Sequence, residues 1–256
     1  MKPNRDDSRI LVEGTKTAFE ILVVLDELQE ATLTEVTEHV PLSRPGVYKH
    51  LTTLDELGYV VKEDGIYSLS PRFLRFGNTR LNSTPLYRVA KPKIDELSDT
   101  TSGLASLVVE DHSQGVYAYR TGKDEYLFER PAGEVVPLHA SAAGKALLAF
   151  RDDSSVESLV EGDSFSKETP DTITDPATLR SELKDIREGG IASDSGECVE
   201  GWHSVAYPIM HEETIPVGAV SVSGPTDEIP VWTLQEEIAG QIVSTAKSIE
   251  VDLFKD

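Results

Sequence analysis

The sequence predicts an α+β protein in two parts, residues 1–81 and 82–256. Before residue 70, apolar residues recur at helical spacing in three segments, and a two-residue turn signal then joins two strand-like runs. Beyond residue 82, strands come first and helices later without regular alternation, which favours an antiparallel sheet with helices packed on it. Charge changes as well. Residues 39–94 carry nine basic and four acidic side chains, +5 within a chain of −21, and no carboxylate falls between Gly65 and Ile94.

Taken in order, Thr15 to Gln29 reads as a helix through Ala18, Ile21, Leu22, Leu25 and Leu28. Leu33 to His39 is a second, with Thr32 and Glu35 placed for a capping box. Pro41-Leu42 turns the chain. Ser43 can cap a third helix that tolerates Pro45 in its first turn and stops at Gly58. Residues 59–62 and 66–69 flank Asp64-Gly65, a hairpin signal. Helix, helix, turn, helix and hairpin make a winged helix-turn-helix. A basic linker helix follows over Pro71–Leu81, and another helix over Leu86–Ser98. In the second part, 104–110, 115–120, 125–129, 191–193, 204–210 and 216–223 read as strands. Helices are expected at 141–151, 155–160, 176–188 and, as one long final helix, 233–253. There is no internal repeat.

Composition narrows the classes. With 39% hydrophobic and 27% charged residues, the chain fits a soluble globular protein. No apolar run reaches the roughly 18–20 residues needed to span a bilayer, and the polar start lacks a signal-peptide core. The reading is cytoplasmic, with no membrane partner. The single cysteine, Cys198, excludes an internal disulfide and suits a reducing interior. Forty-five acids against 24 bases suit a carboxylate-rich surface adapted to concentrated salt better than a cation-binding site, since no acidic cluster has calcium-loop spacing.

The third helix puts Val47, Leu51 and Leu54 on one face and Pro45, Gly46, Lys49, Thr52 and Thr53 on the other, with Arg44 and Tyr48 at the flanks. These are compact, basic or hydroxylated side chains, as a major-groove surface requires. Lys62 in the first strand of the hairpin joins the basic set. His50 falls near the buried edge. The expected partner is double-stranded DNA.

Two stretches of the second part carry polar chemistry. In Leu138–Ala149 (LHASAAGKALLA), the small residues Ala142, Ala143 and Gly144 open a helix, so free backbone N–H groups can hold a carboxylate or phosphate. The stretch is neither a Walker A loop nor a Ser-x-x-Lys acyl-transfer motif, and tight helix–sheet packing is the other use of such residues. In Gly190–Pro208, Asp194 leads into Trp202, His203 and Ser204, and the next strand carries Ser221 and Ser223 at alternating positions, on one face. The histidines and Cys198 lack zinc-site spacing, so no metal is expected. No nucleophile elbow is present, and no catalytic residues or cofactor are assigned.

Four stretches together carry a resemblance: Leu33–Val36 with Leu42, Val47–Leu51 and Leu54–Val60; Leu138–Ala149; Gly190–Gly201 with Ala206–Pro208; and Val217–Pro225. At these spacings, over roughly 15–255, the chain resembles the IclR family of transcriptional regulators. The resemblance implies a winged helix, a linker helix used for dimerisation, and a GAF-like antiparallel domain that binds a small effector. It implies dimers, or dimers of dimers, on palindromic operators. By motif position the effector pocket maps to Ala142, Ala143, Asp194, Trp202, Ser204, Ser221 and Ser223. The chain has Pro45-Gly46 where the family often has Ser-Thr, Trp202 where an aliphatic residue is usual, and a thinner acidic loop before Gly201. The expectation is a ligand-responsive regulator of metabolic genes, its effector an organic or sugar acid whose carboxylate sits at the start of the 141–151 helix. The rivals are a metabolite-processing enzyme with an accessory winged helix and a winged-helix adaptor for an acidic protein.

Overall fold

Helix α1 (Glu13–Leu28) begins the described chain and buries Ile21, Val24 and Leu25 at helical spacing. The computed structural model describes residues 12–162, 165–212, 215–230 and 233–255. They fall into two units, one up to Arg80 and one from Leu81.

In the first unit a short strand β1 (Glu30–Thr32) leads into α2 (Leu33–His39). Thr32 and Glu35 form the expected capping box, each closing a backbone N–H that the first helical turn leaves free. Helix α3 (Arg44–Glu56) has Ser43 at its N-cap position, but that side chain makes no capping bond; Pro45 sits in the first turn. Strands β2 (Val60–Glu63) and β3 (Ile66–Leu69) pair antiparallel, and their turn puts Asp64 and Gly65 at φ of 50° and 86°, the left-handed pair a tight hairpin needs. The sheet order is β1-β3-β2. Ile21, Leu25, Val36, Val47 and Leu51 form its fully buried centre. Helix α4 (Phe73–Asn82) buries none of its own residues; Leu74 is 67% and Phe76 57% exposed.

The second unit runs α5 (Pro85–Thr101), β4 (Leu104–Asp111), β5 (Gln114–Thr121), α6 (Asp124–Glu129), β6 (Val135–Val136), α7 (Ala142–Leu148), α8 (Asp153–Val160) and α9 (Pro176–Gly189). It continues with β7 (Ala192–Ser195), β8 (Trp202–His211), β9 (Ile215–Pro225), a π-helical turn (Thr233–Ile238) and α10 (Ala239–Leu253). Six antiparallel strands lie in the order β6-β5-β4-β9-β8-β7. Period-two alternation sends Leu107, Val205, Val220 and Val222 to one face, under α5 and α10. Val108, Ala192, Ala206 and Ala219 go to the other, under α7 and α9. The small residues on both sides of this second interface let α7 lie close to the sheet, and Gly144 lets the chain that leads into α7 fold back on it: a Cβ there would meet the Cα of Leu138 at 2.5 Å.

Residues 125–129, expected as a strand, lie in the short helix α6. The final helix is not continuous from 233: it opens as a π turn and is α-helical only from Ala239. The helix expected at 141–151 is regular over 142–148 and tightens at its end, where Phe150 and Arg151 donate to carbonyls three residues back. β1 and β6 were not foreseen, being too short to show alternation; each exists because a neighbouring strand supplies its ladder.

Candidate functional sites

The exposed face of α3 carries Arg44, Tyr48, Lys49 and Thr53; Thr52, Gly46 and His50 are half-buried. Thr53 Oγ1 donates to the Lys49 carbonyl at 2.9 Å. Gly46 is there for packing: an added Cβ would lie 2.7 Å from Leu42 Cγ. Lys62 on β2 brings its ammonium 5.9 Å from the Tyr48 ring centroid and 5.3 Å from that of Tyr67. A hydrogen bond with Tyr67 raises its pKa. The basic stretch is less free than its sequence suggests. Arg72 donates to the Leu57 carbonyl at 2.5 Å, capping the end of α3. In the second unit, Lys91 pairs with Asp95 and Lys93 with Asp252. Sequence counting missed these pairs because neither carboxylate lies within the acid-free stretch.

In the second unit, strand register builds a polar patch on the sheet face that α7 covers. Ser106 on β4 stands opposite both Arg120 on β5 and Ser221 on β9. Two residues along the strand, Ser223, Ser204 and Asp194 stand side by side on β9, β8 and β7. Asp194 is buried. Its Oδ1 accepts from the backbone N–H groups of Glu197 and Cys198 at 2.7 and 3.3 Å, and its Oδ2 from Ser204 Oγ at 3.1 Å. Burial raises its pKa against these bonds. A small cleft opens above the patch, lined by Arg120, Arg130, Asp194, Cys198, Trp202, Ser204 and Ser223 among others. Trp202 meets Tyr126 edge-on at 5.2 Å. Burial holds the Cys198 thiol near 12, so it is neutral.

Arg120 was not foreseen. Strict alternation puts it opposite Tyr117, but a bulge at Leu107/Val108 shifts the register so that Leu107 pairs with Tyr119 and Val108 with Tyr117. Both side chains then share a face, with the Arg120 guanidinium 3.6 Å from the Tyr117 ring centroid. Arg120 is 5% exposed. Burial lowers its pKa, yet a guanidinium stays protonated.

The start of α7 differs from the expectation. Ser141 Oγ accepts the Gly144 N–H at 3.0 Å, so this donor is not free for a ligand, and Gly144 serves close packing. Ala142 and Ala143 are buried core members. Lys145, also unforeseen, is fully buried and holds Glu182 at 2.5 Å and Glu197 at 2.8 Å. A lone lysine in an otherwise small and apolar helix was the available signal. Thr169 and Thr172 hydroxyls donate to the Gly196 and Glu197 carbonyls. These bonds fix the loop that carries Cys198 to the cleft. Burial pushes the Glu197 carboxyl up to about 7 despite Lys145, and burial lowers the His139 pKa. Among the described residues, no three His, Cys, Asp or Glu side chains gather as a metal site, and no helix is long and apolar enough to cross a membrane.

Comparison with known proteins identifies the frame. Residues 17–64 match the IclR helix-turn-helix domain, and residues 78–251 match the domain described as bacterial transcriptional regulator IclR C-terminal. The chain is 32% identical over 247 residues to a Halobacterium salinarum protein named "Probable HTH-type transcriptional regulator ArcR", covering 94% of each. It is 32% identical over 232 residues to the Escherichia coli HTH-type transcriptional regulator KdgR, covering 89% of this chain and 88% of that one. The crystal structure of Thermotoga maritima IclR superposes with a TM-score of 0.75 at 27% identity, over 95% of this chain and 99% of that one. The chain belongs to the IclR family of DNA-binding transcriptional regulators.

Proposed function

We propose that this regulator reads DNA through Arg44, Tyr48, Lys49, Thr52, Thr53 and Lys62, and that a small organic or sugar acid in the second-unit cleft sets its affinity for a palindromic operator. The observation that supports the effector reading best is the row Ser223, Ser204 and Asp194, the carboxylate buried and the two serines half-buried, on a sheet face that also packs alanine and valine against α7. A hydroxyl or carboxylate enclosed by apolar residues needs hydrogen-bond partners, and a polar ligand supplies one to Ser221 and a closer one to Ser223, whose Oγ donates to the Leu104 carbonyl only at 3.5 Å. Ser204 is bonded to a carboxylate, not to an imidazole base. That arrangement suits binding better than acyl chemistry, which supports a regulator that is not an enzyme. Trp202 gives the cleft an apolar wall; Ala142 and Ala143 lie in the core, and Gly144 is left out of the ligand set.

The protein acts in the cytoplasm, divided functionally into residues 1–81 and 82–256, and works as a dimer or dimer of dimers. The exposed Leu74 and Phe76 of α4 are more apolar surface than a solvated helix should show. Light scattering at micromolar concentration tests this, and a monomer would reject it. For the function as a whole, a mobility shift on the gene's own upstream region should show a discrete complex that a metabolite pool of organic acids weakens or strengthens. A chain that retards no DNA would overturn the reading.

A further inference from the structure

We infer that Arg120 is the anchor for the effector's carboxylate, and that Glu134 occupies this anchor as an internal stand-in when no ligand is bound. The inference rests on the effector-cleft reading above and replaces the helix start of α7 with a side chain as the anion site.

A guanidinium has one N–H on Nε and two on each terminal nitrogen. Arg120 Nε donates to Ser106 Oγ at 3.0 Å; Nη1 donates to the Arg130 carbonyl at 3.0 Å and to Glu134 Oε2 at 3.4 Å. Nη2 donates to none of the described residues, on a side chain that lines the cleft. The plane is fixed by Ser106 on one edge and by the Tyr117 ring beneath it. A rigid, buried fork with an open edge matches a planar carboxylate.

Arg120 and Arg130 share one carboxylate, Glu134, at 3.4 and 3.5 Å. Charge-assisted bonds are usually about 2.7–2.9 Å, so Glu134 serves both cations loosely. Two guanidinium groups against one carboxylate leave this wall of the cleft positive, and a buried cation without a full partner is costly. On the opposite wall, both Asp194 oxygens already accept protein donors. An entering acid therefore meets donors at Arg120 and hydroxyls at Ser204 and Ser223.

The Glu134 side chain is 34% exposed, and it follows Gly133, whose φ is +98°. It can turn out to water as a ligand carboxylate takes its place. The strand register then sets the ligand's size. The Arg120 row and the Ser223–Ser204 row are two residues apart, roughly 7 Å along the strand. That spacing suits a compact hydroxy-acid, its carboxylate on Arg120 and a hydroxyl near Ser204.

The test reads Trp202 emission in a Trp232→Phe background, at constant ionic strength. Acetate, lactate and gluconate are titrated against acetamide, lactamide and glucose. At least one acid should give a saturable change that its neutral counterpart does not. Glu134→Gln should tighten that acid roughly five- to tenfold, because the stand-in loses its charge. Arg120→Lys should weaken it tenfold or more, and Arg120→Gln should abolish it. If either Arg120 variant unfolds, Arg130→Gln tests the same positive wall, with a several-fold weakening expected. An unchanged midpoint in the folded arginine variants, or in Glu134→Gln, overturns the inference. Binding of the neutral compounds alone removes the anchor while leaving the cleft reading intact. Silence of Trp202 toward every compound, in wild type and Glu134→Gln alike, removes both.

Discussion

The face of α3 and the cleft above β8 and β9 use charge in opposite ways. On α3, Arg44, Lys49 and the neighbouring Lys62 are exposed, and their side chains make no ion pair among the described residues. Such cations keep their hydration until a polyanion arrives, and binding then gains from released counterions. Arg120 and Asp194 in the cleft, and Lys145 and Glu197 behind it, are all buried, and almost every polar atom has a protein partner. The exceptions among the described residues of this region are Arg120 Nη2 and the buried, unpartnered Glu197 Oε2, His139 Nδ1 and His203 Nδ1, the last on a residue that lines the cleft. Exposed charge suits a long uniform polymer; buried and oriented charge suits one small molecule of defined shape.

The sharpest break in this comparison is Lys145→Met. It leaves Glu182 and Glu197 facing each other without their cation, and removing one member of a buried ion pair costs about 3–5 kcal/mol. Urea unfolding followed by tryptophan emission measures it, since both tryptophans, at 202 and 232, lie after residue 81. Adding Glu197→Gln should recover part of the loss. A cost no larger than that of a surface lysine would place the triad with solvated pairs.

Lys49→Ala should have the next largest effect, on operator affinity alone. Losing a phosphate or guanine contact costs about 1–3 kcal/mol, while an exposed lysine contributes little to folding, so the melting temperature should hold. Unchanged affinity at matched salt would remove Lys49 from the interface.

The pH dependence separates the buried groups. The Glu197 carboxyl titrates near 7 in the folded protein against 4.5 ordinarily. The folded state therefore holds this proton more tightly than the unfolded one between those values. Its contribution to stability is full below 4.5 and falls as pH rises through about 7. His139, whose pKa burial lowers, works in the opposite direction up to its ordinary 6.5. The comparison must therefore be between wild type and Glu197→Gln: the variant should gain on wild type from about pH 5 to about pH 7 and level off above that. A constant difference would mean that Glu197 does not titrate there.

The smallest effect expected is on salt. Phosphate-driven binding weakens with a slope of about −0.9 per contact in log–log form. A chain at −21 also repels DNA, and salt screens that repulsion. The observed slope should be shallower than the contact number implies. A full slope would show that the acidic surface is not felt at the operator.

The sequence carried the winged unit well because its signals are local. The Thr32–Glu35 box, the Asp64-Gly65 turn and the Val47–Leu51–Leu54 stripe each need only a few neighbours. The cleft was half legible. Alternation placed Ser221 and Ser223 on one face, but Arg120 joins them only through a bulge that breaks alternation on β5. Gly144 looked like an open N–H donor because Ser141 could not be seen to occupy it. Residues 125–129 have strand-like composition, yet they form the short helix α6, and a segment this short shows no periodicity to tell the two apart. The structure also advises against Ala143→Asp as a probe of the effector response: Ala143 is 3% exposed within the core, so a carboxylate there would damage folding before it reported on a ligand.

The account stands on coupling between two sites. Fluorescence anisotropy of labelled operator DNA, titrated with the protein with and without an acid that saturates the Trp202 signal, tests it most directly. A coupling of 1–3 kcal/mol should move operator affinity by about 5- to 150-fold, and DNA should move the acid's midpoint by the same factor. An acid that fills the cleft and leaves operator affinity unchanged would contradict the account.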